Sequence, residues 1–178
     1  MLSMKITSAL CVQALFGGIG FIFCAPVWAA DLQTWPAGKP VGLATVAQPI
    51  QVVNVWATWC APCRKEMPML NRWYRQHGYG GKNTALQLIG IALDTDANLQ
   101  RFTREVNVRY PLWRYVGQDS RQFMQGLGNA VGALPFTLVR APKCGFQQAV
   151  LGEISAAKLD LLVKQAKQQC ASRRIAVH

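Results

Sequence analysis

Two apolar runs dominate the pattern of hydrophobic and polar positions, and each predicts a strand covered on both faces. The first is residues 50–57, Ile-Gln-Val-Val-Asn-Val-Trp-Ala, and the second is residues 86–93, Leu-Gln-Leu-Ile-Gly-Ile-Ala-Leu. Near-continuous apolar runs of this length are what buried parallel strands show. Between them lies a basic, mixed-polarity stretch with Pro62 near its start, where a missing N–H costs a helix nothing. It predicts a helix running to about His77 and stopped by Gly78-Tyr79-Gly80-Gly81, with a kink at the interior Pro68. Strand, helix and strand make a right-handed parallel β-α-β unit.

Downstream, Asp94, Thr95 and Asp96 offer caps for a helix over residues 97–107. A short strand is expected at residues 112–116 and a helix at 120–127. Two further strands, 136–140 and 147–152, flank a turn at Pro142-Lys143-Cys144-Gly145. Ser155 caps a last helix to about Gln169, with Leu159, Leu162, Val163 and Ala166 on one face. Residues 30–48 hold Pro36 and Pro40 and few large apolar groups, so they read as a lead-in with one edge strand near 41–46. The pattern is three-layer α/β, with one domain over residues 49–171 and a tail at 172–178.

The first 29 residues stand apart. After Lys5, residues 9–30 are apolar except for Gln13, and Val27-Trp28-Ala29 places small residues at a cleavage point behind Pro26. That is the layout of a secretory signal peptide; an uncleaved membrane anchor is the alternative, because the run approaches the ~20 residues that span a bilayer. Either reading puts the domain outside the cytoplasm, in a periplasmic or otherwise exported space. Cysteine usage agrees. Cys11 and Cys24 fall in the leader, leaving Cys60, Cys63, Cys144 and Cys170, an even set that suggests two disulfides in an oxidising compartment. The formal net charge is +11, with the Lys and Arg residues scattered rather than clustered. An exported chain with scattered cations is not expected to bind nucleic acid; the charge reads as a solvated surface or as affinity for anionic membranes or acidic partners.

The chemistry sits at the strand-to-helix junction, Trp59-Cys60-Ala61-Pro62-Cys63. Thiolates attack disulfides, and a helix N-terminus lowers a thiol's pKa with its partial positive charge and free N–H groups. Cys60 is the expected nucleophile and Cys63, one turn on, the resolving thiol; Arg64 and Lys65 add positive charge. A purely structural Cys60–Cys63 bridge constrains little chain. Zinc lacks a second ligand pair at suitable spacing, and covalent haem attachment requires a histidine where Arg64 stands. No metal or cofactor is therefore expected. Soft thiolates also suit Cu(I), which leaves a metallochaperone-like module as an alternative, although Met67 and Met69 read as helix core.

The stretch from Val53 to Pro68, Val-Asn-Val-Trp-Ala-Thr-Trp-Cys-Ala-Pro-Cys-Arg-Lys-Glu-Met-Pro, resembles the active-site segment of the TlpA/ResA/DsbE group of exported thioredoxin-like oxidoreductases. Tyr110-Pro111-Leu112, Asp119 and the segment Val131-Gly132-Ala133-Leu134-Pro135-Phe136-Thr137-Leu138 extend the likeness over residues 40–170. The resemblance implies a thioredoxin-like three-layer α/β/α fold with a mixed central sheet. It also implies a cis peptide before Pro135, which faces the dithiol, with Leu134 and Trp59 meeting a substrate strand. Asn54 stands where thioredoxin has a buried aspartate, and Glu66 matches a glutamate of the group that either assists proton transfer or pairs with a nearby Arg or Lys. Disulfide reduction is the implied activity, in cytochrome c or copper-site maturation, with disulfide oxidation or isomerisation as the alternative. The implied partners are protein dithiols and disulfides and a membrane electron donor resembling DsbD or CcdA, with the chain acting as a monomer.

The remaining pair, Cys144 and Cys170, is brought together by simple lengths. The strand after Cys144 runs ~23 Å at 3.3 Å per residue, and the return along the last helix covers ~24 Å at 1.5 Å per residue. An antiparallel return thus predicts a structural Cys144–Cys170 disulfide.

Overall fold

The structure, a computed structural model, describes residues 31–77 and 85–175; the leader, the glycine breaker after His77 and the last three residues lie outside them. The elements follow as β1 (Leu32–Trp35), β2 (Pro40–Val41), β3 (Ile50–Trp56), α1 (Ala61–His77), β4 (Leu86–Ala92), α2 (Asp96–Glu105) and β5 (Leu112–Tyr115). Then come α3 (Ser120–Gly126), β6 (Phe136–Ala141), β7 (Phe146–Leu151) and α4 (Ala156–Ile175). One seven-stranded sheet has the order β2-β1-β5-β4-β3-β6-β7. Its centre, β5-β4-β3, is parallel, and antiparallel pairs flank it on both sides.

The apolar runs become the two central strands because both of their faces are covered. All seven residues of β3 are buried. Val52 packs with Leu70, Trp73 and Tyr74 of α1 and with Leu159, Leu162, Val163 and Ala166 of α4. Trp56 on the same face meets Met67 of α1 and Leu99 and Phe102 of α2. Val53 and Val55, on the alternate face, pack with Phe123 and Met124 of α3 and with Leu43 and Val46. Helices on both sides of a mixed sheet are the expected thioredoxin-like fold. Burying each large aliphatic side chain of these clusters is worth about 1.5–3 kcal/mol.

Three expectations change. Residues 31–48 are not a lead-in: β1 inserts between β2 and β5, and its four residues pair antiparallel with all four of β5. The edge strand expected near 41–46 is instead the two-residue β2 followed by a 3-10 turn, Leu43–Thr45. The last helix continues through the expected tail to Ile175, since Ala171 and Arg173 are good helix formers and nothing after Gln169 breaks it.

Cys144 and Cys170 form a disulfide with a Cα–Cα distance of 5.0 Å. It ties the 3-10 turn Pro142–Cys144 to the last turns of α4, where the Gln169 side-chain amide also donates to the Cys144 carbonyl at 2.9 Å. Gly145, at φ +65°, supplies the left-handed residue that ends this turn and starts β7.

Candidate active site

Parallel strands deliver their C-terminal ends to one edge of the sheet, and the reactive groups collect there. The end of β3 passes through a turn closed by Cys60 N–H to the Ala57 carbonyl, 3.1 Å, and α1 starts at the next residue. Cys60 and Cys63 are joined as a disulfide with Cα atoms 5.3 Å apart. Both cysteines are buried, Cys60 keeping 5% of its surface exposed and Cys63 none, so what little of the pair reaches solvent belongs to Cys60. The Cys63 amide donates to Cys60 Sγ at 3.2 Å, the orientation that favours negative charge on that sulfur once the bridge opens. No acidic residue occupies the first turn of α1 to offset its positive end.

Trp59 lies 71% exposed beside this sealed pair, the most exposed large apolar side chain among the described residues. Arg64 is exposed and its guanidinium sits 5.7 Å from the centroid of Phe102. The Leu134–Pro135 peptide is cis. Leu134 packs both on the cluster holding Cys60 and Cys63 and on the one holding Phe136, which puts the segment before β6 against the dithiol. Asn129, fully buried, shapes the approach: its amide donates to Ala133 O at 2.8 Å and its Oδ1 accepts Gly132 N–H at 3.0 Å.

Glu66, one helical turn after Cys63, is buried at 4% exposure. Among the described residues no Arg or Lys forms an ion pair with it; the cation beside it, Lys65, instead meets Glu153 at 3.2 Å. Glu66 Oε1 accepts Asn54 Nδ2 at 2.8 Å, and Oε2 accepts the Ile154 N–H at 3.0 Å. Asn54 Nδ2 also reaches Thr137 Oγ1 at 3.1 Å, so one amide links β3, β6 and α1. Burial pushes the carboxyl of Glu66 above the usual range; the Ile154 and Asn54 bonds oppose this, and the charge of Glu153 adds to the rise. The Tyr110 phenol is pushed up in turn, by burial first and then by Glu66.

A carboxylate that the sequence suggested only as a helix cap closes the site from behind. Asp94 follows β4, and its Oδ2 accepts both the N–H of Thr58 at 2.9 Å and the Thr58 hydroxyl at 2.5 Å. Its place at the C-terminal end of a parallel strand was the available signal. Asn129 gave no such signal, because a buried loop asparagine shows no periodicity. Among the described residues, no group of three or more His, Cys, Asp or Glu side chains is placed to hold a metal ion.

Residues 24–140 match the model of the AhpC/TSA family. The chain belongs to the AhpC/TSA family. Within it, the chain is 27% identical over 129 residues to the thiol-disulfide oxidoreductase ResA of Bacillus thuringiensis, covering 72% of this chain and 69% of that one. It is 35% identical over 91 residues to the thiol:disulfide interchange protein HelX of Rhodobacter capsulatus, covering 51% and 45%. A solved thioredoxin-related protein from Neisseria meningitidis serogroup B superposes with a TM-score of 0.71 at 45% identity, over 78% of this chain and 99% of that one. A DsbE from Chlorobium tepidum, at 21% identity and TM-score 0.59, shares the fold, over 76% of this chain and 91% of that one. With its paired Cys60 and Cys63, this member of the AhpC/TSA family is a thiol–disulfide oxidoreductase of the ResA and HelX type.

Proposed function

We propose that the protein is an exported reductant of protein disulfides, with Cys60 as the nucleophile. The observation that carries this reading is the asymmetric pair: Cys60 at a helix start with 5% of its surface still exposed, Cys63 with none, and a buried carboxyl one turn further on. In the reduced protein, the Cys60 thiolate attacks one sulfur of a substrate disulfide. That S–S bond breaks and the other substrate sulfur leaves as a thiolate, which takes its proton from water. Cys63 gives up its proton, with Glu66 as the group one turn away to receive it, and attacks Cys60 Sγ. The substrate leaves with both sulfurs reduced and the protein holds the Cys60–Cys63 disulfide. A donor dithiol then returns two electrons.

Against the pull of the α1 start on Cys60, the charge of Glu66 supports the reducing direction. A carboxylate beside the dithiol disfavours the thiolate, which destabilises the reduced pair and makes it the better electron donor. Leu134 and Pro135 line the approach for an extended substrate segment, and Trp59 supplies an exposed apolar contact. The apolar leader supports export, where a reductant depends on an outside electron supply such as a membrane protein resembling DsbD or CcdA. The resemblance of residues 53–68 and 131–138 to the TlpA/ResA/DsbE group implies cytochrome c or copper-site maturation as the setting.

The test is the reduction potential of the Cys60–Cys63 couple together with insulin reduction and trapping by Cys63→Ser, which stalls the mixed disulfide on Cys60. A potential in the lower half of the range from about −270 to −120 mV is expected. A value near −120 mV, about that of a strong oxidant of this fold, would make the protein an oxidase and remove this reading.

A further inference from the structure

Asp94 is the most heavily bonded acid described. Besides the two bonds from Thr58, its Oδ1 accepts the Thr95 N–H at 2.8 Å and the Asn98 side-chain amide at 2.7 Å. Four donors therefore converge on two oxygens, and they come from two places: the turn before Cys60 and the start of α2. The Thr95 hydroxyl completes the cap by accepting Asn98 N–H at 3.3 Å. Burial alone raises the carboxyl, but the bonds from Thr58, Asn98 and Thr95 outweigh it and hold the group below the usual carboxylate range.

Thr58 is the point of leverage. It is the second residue of the turn that runs from Ala57 to Cys60, closed by the Cys60 N–H to Ala57 O bond. Both polar groups of Thr58 that can donate are spent on one carboxylate oxygen 36 residues away in sequence. The strands beneath are already fixed to each other, with Leu93 N–H donating to Trp56 O at 2.9 Å. Beyond Thr58 come the exposed Trp59 and then Cys60, so this is the last side-chain anchor before the attacking sulfur. The same carboxylate holds the first turn of α2, whose Leu99 and Phe102 pack in the cluster containing Cys60, Cys63 and Trp56. A cap needs only the bonds to α2; those to Thr58 serve something else.

We propose that Asp94 is a positioning residue for the dithiol, acting through Thr58 to fix the Ala57–Cys60 turn against the start of α2. This deepens the proposed function and rests on Cys60 being the nucleophile. The clamp keeps Cys60 at the N–H groups of α1 and sets the line along which its sulfur meets a substrate. Asparagine at position 94 offers one acceptor in place of two, and its amide hydrogens point at groups that are themselves donors. Valine at position 58 removes the hydroxyl, keeps the main-chain bond and changes no charge.

The full chain is tested as Asp94→Asn, Thr58→Val and Thr58→Ser, following the Cys60 thiolate by its absorbance against pH, insulin turnover and the thermal midpoint. Asp94→Asn and Thr58→Val are expected to lower kcat/KM about tenfold, the equivalent of one to two lost hydrogen bonds. Thr58→Val also shifts the thiolate titration upward, and Thr58→Ser, which keeps the hydroxyl, restores wild-type behaviour. If both variants lose only thermal stability, with titration and kcat/KM within about twofold of wild type, the clamp is structural and the proposal falls. Cys60→Ser separates the two levels: turnover surviving there removes the nucleophile reading, whereas an inactive Cys60→Ser beside a normal Asp94→Asn removes the clamp alone.

Discussion

Replacing Glu66 with glutamine isolates proton transfer from architecture, because the surrounding bonds can rearrange to accept the amide. Asn54 Nδ2 currently donates to Glu66 Oε1 and to Thr137 Oγ1, while Asn54 Oδ1 has no hydrogen-bond partner. Turning the Asn54 amide over places its oxygen where it accepts both the new side-chain amide at position 66 and the Thr137 hydroxyl. The carbonyl oxygen of the introduced glutamine still accepts the Ile154 N–H. The number of hydrogen bonds is unchanged but the turned Asn54 Nδ2 is left where Oδ1 had no partner, so the variant should lie within about 1–3 kcal/mol of wild type at low pH. The sign of the pH effect is fixed by the raised carboxyl. A proton held more tightly in the folded state gives a contribution that is full below the unfolded carboxylate value and lost as pH rises through the folded one. The wild type therefore loses stability across that window, the glutamine variant does not, and the gap at neutral pH closes or inverts. Catalysis should move the other way. Loss of a positioned proton acceptor costs about 10²-fold or more in the resolving step, read as slow release of substrate from the mixed disulfide on Cys60. Stopped-flow quench of that intermediate across pH, with denaturant melts alongside, measures both effects. Resolution within about threefold of wild type, with the same pH dependence, would refute a proton-transfer role for Glu66.

Three further outcomes are expected. Replacing Cys144 and Cys170 together by serine should cost about 3.5 kcal/mol in a denaturant melt, from the loop closed across a separation of 26 residues, while insulin reduction at room temperature persists. Trp59→Ala should leave the melt unchanged, since the ring is 71% exposed, yet raise KM for protein disulfides and spare small aromatic disulfides; an unchanged KM would remove Trp59 from the docking surface. Gly90→Ala should destabilise by about 1–3 kcal/mol, because the new methyl would lie 2.7 Å from a Tyr110 ring carbon and 2.9 Å from a Leu112 methyl; a melt within error of wild type would show that Tyr110 can move aside.

The parts legible in the sequence were those whose causes are local. The runs that became β3 and β4 announce two-sided burial, and Pro62 marks the first turn of α1 by a rule of the helix itself. Leu32-Gln33-Thr34-Trp35 carries no such signal. Four residues ended by a proline become a strand only because β5, some eighty positions later, offers a free edge, and that pairing cannot be seen along the chain. The site divides in the same way. Cys60 and Cys63 share one helical turn and can be read from spacing. Glu66 could be located but not its partners, since Asn54 and the Ile154 N–H arrive from β3 and from the turn before α4. Asp94 looked like an ordinary cap because its second set of bonds spans 36 positions.

The way β1 joins the sheet decides how the molecule can be held. Its first contact, Val116 N–H to Asp31 O at 2.8 Å, lies at the C-terminal end of β5, the same edge to which β3 delivers Cys60. The helix α4 runs the other way, from Ile154 beside Glu66 down to Cys170 beside Cys144. The two ends of the described domain therefore exit at opposite poles. A linker fused ahead of Asp31 reaches at most ~3.5 Å per residue, so a short one turns the dithiol toward whatever it is fastened to. A handle placed after α4 points the dithiol away, into solution. For immobilised assays, biosensor surfaces or fusion to a chosen substrate, the choice of terminus is a choice of which pole does the chemistry.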